Sequence, residues 1–159
     1  MKYLPLAILL LVACSANEAI PSPITPPPSY VLEHTIGGFQ HSAPMQVFSS
    51  CGLTGYPLEK ELFTTCYATQ YSKEGLEVDA IVSVADAPPP ASLNEFMIED
   101  PSILQTIGTD TILRVTNDAG WYSGKQLISL TKRDEVSDEV FQEFINAYLE
   151  VYPSSIHEE

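Results

Sequence analysis

Residues 62–85 read LFTTCYATQYSKEGLEVDAIVSVA, and this stretch decides the fold. Phe63, Thr65, Tyr67, Thr69 and Tyr71 share one side of an extended chain, with Cys66 and Ala68 on the other. Aromatic and β-branched residues recurring with a period of two predict a strand from Leu62 to Tyr71. Val78, Ala80, Val82 and Val84 repeat the pattern from Glu77 to Ala85. Ser72-Lys73-Glu74-Gly75 supplies a turn between the two runs, so the pair is predicted to be a hairpin. Half-polar alternation of this kind suits an antiparallel sheet with one wetter face.

Upstream of this hairpin, Met45 to Ser49 can add a short strand. Downstream, Pro88-Pro89-Pro90 breaks the chain. Ser92-Leu93-Asn94-Glu95 then matches a capping box, in which Ser92 caps a helix running to about Glu99 and Glu95 reaches back. Asp100-Pro101 can open a further short helical turn that stops at Gly108. A second hairpin is expected from Thr111 to Thr116 and from Trp121 to Thr131, with Asn117-Asp118-Ala119-Gly120 as its turn. Ser137 can cap a last helix that Pro153 ends. Phe141, Phe144, Ile145, Tyr148, Leu149 and Tyr152 follow the i, i+3, i+4 spacing of an amphipathic helix. Asp138, Glu139 and Glu143 lie in its first half, where the helix dipole favours acids. The predicted class is α+β: an antiparallel sheet built from hairpins, helices packed on one face, and an amphipathic C-terminal helix.

The beginning of the chain speaks to location. Lys2 precedes an apolar run from Leu4 to Ala13, which is too short for the roughly 20 residues of a membrane-spanning helix. A cationic start, a brief apolar core and small residues before a cut site mark a secretory signal peptide. Leu11-Val12-Ala13-Cys14 resembles the lipobox of bacterial lipoproteins. That resemblance implies cleavage after residue 13, a diacylglycerol on the Cys14 sulfur, often a third acyl chain on its nitrogen, and anchoring in a lipid bilayer. Two or more chains make such an anchor durable. Ser15 stands where an aspartate would imply retention in the inner membrane, so the resemblance favours the outer membrane, facing the periplasm. Residues 14–29 then form the lipidated N-terminus and a tether. Pro21, Pro23, Pro26, Pro27 and Pro28 hold it extended. Residues 30–159 form one domain of ordinary size. In an oxidising compartment the two remaining cysteines, Cys51 and Cys66, read as one disulfide. Free thiols or half of a metal site are the alternatives, and neither a Cys-x-x-Cys spacing nor an intervening histidine supports the metal.

The charge restricts the partners. The chain has 7 Lys and Arg against 21 Asp and Glu, a net −14, and loss of Lys2 with the leader makes this −15. Nucleic acid and bare anionic membrane surface are poor partners for such a chain. A basic protein would be attracted, although the acids are spread along the chain as simple solubility also requires.

No catalytic motif stands out. Gly-x-Ser-x-Gly, the Walker A sequence and Gly-x-Gly-x-x-Gly are absent. His34 and His41 match no familiar metal spacing, and His157 lies close to the C-terminus. No cofactor, metal ligand or catalytic residue is therefore expected, and the chain reads as a non-enzyme. The candidate binding residues are aromatic: Trp121, Tyr122 and Tyr56, with the Gly37–Gly55 stretch as a loop pinned by the disulfide. The expected function is a membrane-anchored envelope lipoprotein that binds a protein or cell-wall partner or supports an envelope assembly. The alternative is an acidic inhibitor or immunity-type lipoprotein that neutralises a basic toxin or hydrolase.

Overall fold

The alternation at residues 62–85 does produce the central hairpin of the molecule. The computed structural model describes residues 35–49 and 59–156. In chain order these carry β1 (Thr35–Ile36), β2 (Phe39–His41), β3 (Gln46–Phe48), the single turn α1 (Glu59–Leu62), β4 (Phe63–Lys73) and β5 (Leu76–Ala85). There follow α2 (Ala91–Met97), a 3-10 turn (Pro101–Ile103), β6 (Leu104–Ile107), β7 (Asp110–Val115), β8 (Asp118–Ser123), β9 (Gln126–Lys132) and α3 (Asp138–Val151). β4 and β5 pair antiparallel down their length and are joined by Glu74 and Gly75, at φ 54° and 84°. Two central residues with positive φ match the right-handed twist of the flanking strands, which is why glycine is favoured in such turns.

The strands form one nine-stranded antiparallel sheet in the order β1-β2-β4-β5-β9-β8-β7-β6, with β3 beside β2 along the same edge of β4. Residues 104–132 are a four-stranded meander, not the single hairpin expected. The stretch from Trp121 to Thr131 is interrupted at Gly124, φ 57°, which turns the chain from β8 into β9. Gly108, φ 62°, turns β6 into β7 and does not end a helix. The expected turn at Asn117-Asp118-Ala119-Gly120 lies largely inside β8. Both misreadings have one cause: a glycine inside a strand-like run marked a reversal of the chain.

α3 behaves as its spacing predicts. The Val140 amide donates to the Ser137 hydroxyl, and Phe141, Phe144, Ile145, Tyr148 and Leu149 are buried. Each such side chain contributes about 1.5–3 kcal/mol by leaving water. α2 starts differently from expectation. Its N-cap is Pro90, without a side-chain cap, so Ser92 lies inside the first turn and the capping box is not formed. Asp100 caps the 3-10 turn instead, accepting from the Ser102 amide at 3.0 Å.

Register then separates the two helices. Trp121 donates its indole N–H to the Tyr152 carbonyl at 2.8 Å, and its ring meets Tyr148 of α3. The next residue, Tyr122, donates its hydroxyl to the Asn94 side chain of α2 at 3.0 Å. Consecutive residues of a strand point to opposite faces. α3 and α2 therefore lie against opposite faces of the sheet, which corrects the expectation of helices on one face. The connection from β5 to the edge strand β6 crosses one face, and the return from β9 crosses the other.

The core lies under α3. Phe144 packs against Phe39 and Tyr71, with ring centroids 4.7 and 5.3 Å apart, and Tyr148 packs between Tyr71 and Trp121. Ion pairs Lys73–Glu143 and Lys132–Asp138 rim the helix, and the Arg114 guanidinium lies over the Phe141 ring. The chain after α3 continues this seal. The Ser155 amide donates to the Tyr122 carbonyl, and Ile156 bridges to Thr111.

Candidate functional site: the open face of the sheet

Three rows of side chains cross the face opposite α3, and they can be followed through the register. The first row runs Cys66, Ser83, Leu127 and Tyr122. Its first three residues are buried, and α2 reaches its end through Asn94. The second runs Ala68, Ile81, Ser129, Gly120 and Leu113, all of them half-buried. The third runs Gln70, Asp79, Thr131, Asp118 and Val115, and is polar except at its end. Short side chains at Ala68, Ser129 and Gly120 leave the second row low. The result is a trough lying across β4, β5, β9, β8 and β7. Four interstrand spacings make it about 19 Å long.

Two hollows occupy this trough. The larger, about 520 Å³, is bounded by Phe96, Met97 and Ile103 on the helical side and by Leu113, Val115, Gly120 and Ser129 on the sheet. The smaller, about 380 Å³, lies beside it over Ala68, Gln70, Asp79, Ile81 and Thr131, with Ala43 and Pro44 as its outer wall. Concave, largely apolar sites with a few polar groups are the usual form of binding sites.

The charged groups lining the trough are acids. Glu99, Asp100 and Asp118 border the larger hollow and Asp79 the smaller, while among the described residues no Lys or Arg lines either. Asp118 accepts the Thr131 hydroxyl at 2.7 Å, and Asp79 accepts from the Gln70 amide at 2.9 Å. Arg133 approaches Asp79 from outside at 3.8 Å. Ser102, through its hydroxyl and its amide, holds the Asp100 carboxyl below the usual carboxylate range. That suits a fixed anion more than a proton donor, since hydrogen bonds to the charged form stabilise it. Burial pushes the Tyr122 hydroxyl above the ordinary tyrosine value. The arrangement can hold an apolar group beside a cation.

The residues singled out from sequence do not gather here. Trp121 is fully buried under α3 and is a core residue, so it offers no binding surface. Tyr122 is partly buried beneath α2, on the trough side of the sheet. Tyr56 and Cys14 lie outside the described residues, as does the Gly37–Gly55 stretch beyond Ser49. Gly37 and Gly38 turn β1 into β2, with Gly37 against Ala147 of α3. Cys66 is disulfide-bonded, and Cys51 lies outside the described residues. His41 packs edge-on against Tyr71, while His34 and His157 are outside the described residues. Among the described residues no group of three His, Cys, Asp or Glu is placed to hold a metal ion. No helix among them is long and apolar enough to cross a membrane. Sequence reasoning missed Ser129, Gly120 and Leu113. Each is unremarkable alone, and only the order β5-β9-β8-β7 sets them in line.

No family model, curated protein or solved structure matches this chain.

Proposed function

We propose that the chain is a non-catalytic envelope lipoprotein, anchored through acyl chains on Cys14, that binds a protein or cell-wall partner. In this reading the Pro-rich tether lifts the domain from the outer membrane into the periplasm, and Cys51 pairs with Cys66. The observation that carries the binding role is the open trough, an apolar-floored concavity on the sheet face that α3 leaves bare. Carboxylates at the trough and the net charge of −14 favour a second reading as an acidic inhibitor of a basic toxin or hydrolase.

The anchor is tested by mass spectrometry of the N-terminal peptide and by membrane fractionation of the Cys14→Ser variant. An acylated Cys14 and release of the variant into the soluble fraction support the proposal, and an unmodified Cys14 overturns it. Crosslinking in the native envelope at low and high salt separates the two partner readings. A basic partner lost at high salt supports the inhibitor, because exposed charge pairs are screened. A partner retained at high salt supports the envelope assembly.

A further inference from the structure

The trough can be matched to an occupant by its length, floor and wall. Resting on the binding role proposed above, we infer that it receives a basic amphipathic segment of another protein. Apolar side chains of the segment lie on the floor at Ile81, Ser129 and Leu113, and its Lys or Arg side chains face the acids.

Length is the first argument. About 19 Å accommodates roughly six residues of extended chain or roughly thirteen of helix. Such a segment is a common unit of peptide recognition. Relief is the second. The second row carries no large side chain between Ile81 and Leu113, because Ser129 and Gly120 face each other across β9 and β8. An inserted apolar side chain therefore finds space over the strands without moving the backbone. Val115, 48 % exposed, extends this apolar surface at the β7 end. Charge is the third. Glu99, Asp100 and Asp118 lie around the larger hollow, with no cationic lining residue among the described residues. An acidic or phosphorylated segment would place like charges together, and an anionic lipid headgroup would do the same. A cationic segment with an apolar face satisfies both walls, and charge complementarity of this kind selects partners and speeds their encounter.

The test uses the full chain purified in mild detergent and a fluorescein-labelled peptide of alternating leucine and lysine. Leucine–serine and leucine–glutamate peptides of equal length serve as comparisons. The leucine–lysine peptide is expected to bind, and to weaken about tenfold between about 50 mM and about 500 mM salt. The other two peptides are expected to bind at least about tenfold more weakly. Ser129→Phe fills the floor over Gly120 and is expected to abolish binding, with the far-UV spectrum and unfolding midpoint unchanged. Glu99→Lys, at an exposed site, is expected to weaken binding several-fold. Equal binding of the leucine–serine peptide overturns the role of the acids. Undiminished binding by a folded Ser129→Phe variant overturns the trough as the site. Self-association in sedimentation that Ser129→Phe removes assigns the trough to a second copy, and so overturns the proposal too. Peptide binding with an unmodified Cys14 leaves the inference standing while the anchor fails. An acylated chain whose envelope partner is captured equally by Ser129→Phe leaves the anchor standing while the inference fails.

Discussion

The two faces of the sheet are built from the same strands and have opposite fates. One presents Tyr71, Ala80, Ile128, Leu130, Trp121 and Ile112, all buried beneath α3 and the chain that follows it. The other presents Ala68, Ile81, Ser129, Gly120 and Leu113 beside a polar row, and α2 covers it only at the end nearest β5's exit. Stability is concentrated on the first face, where large side chains leave water together. The second face is left low and partly wet. A surface that is not needed to close the core is free to carry small residues and acids.

Breaking the covered face is the most direct challenge to this contrast. Phe144→Ala removes the ring that meets both Phe39 and Tyr71, and is expected to cost about 3–5 kcal/mol in urea unfolding. A loss of a few tenths would show that α3 does not seal the core. Next comes Gly37→Ala. Gly37 has φ 55°, and a Cβ there collides with the Ala147 side chain, so backbone strain and overpacking act together. The expected cost is about 2–3 kcal/mol. A neutral result would show that the β1–β2 turn does not rest on α3.

A pH titration sharpens the contrast from another direction. Burial, with smaller contributions from Tyr71 and Tyr152, raises the Tyr148 hydroxyl well above its ordinary value of 10.0. The folded chain therefore holds the neutral form. This stabilisation is fully present below pH 10 and is lost as the pH rises above it, because the unfolded state ionises first. The unfolding midpoint is expected to be flat near neutral pH and to fall above pH 10, with a smaller fall in Tyr148→Phe. An identical fall in the variant would exclude Tyr148 as the source.

The smallest effect belongs to the open face. Val115→Ser is expected to change stability by no more than about 0.5 kcal/mol, since the side chain is half-exposed and closes no cavity. A cost above about 2 kcal/mol would mean that this end of the trough is covered.

Local spacing made part of this legible. α3 was readable because five buried residues, a capping serine and a terminating proline act within one element. β4 and β5 were readable because alternation and a two-residue turn need no distant partner. The capping box at Ser92 is not met because Pro90, already extended, sets the start of α2 two residues earlier. β1 and β2 escaped notice because two- and three-residue strands carry no measurable period. Aromatic character pointed to both Trp121 and Tyr122, but neighbours in a strand cannot share a face, and the buried one was the larger.

By itself the sequence determined the amphipathic last helix, the first hairpin and the acidic character of the chain, because each depends on residue type and short spacing. The tertiary structure alone decided that β9 lies between β5 and β8, that α2 and α3 take opposite faces, and that Ser129, Gly120 and Leu113 form one floor. The reason is that strand partnership is non-local while the side-chain period is two. Which residues become neighbours across a sheet is settled by register between distant segments, and a shift of one residue would have exchanged the two faces.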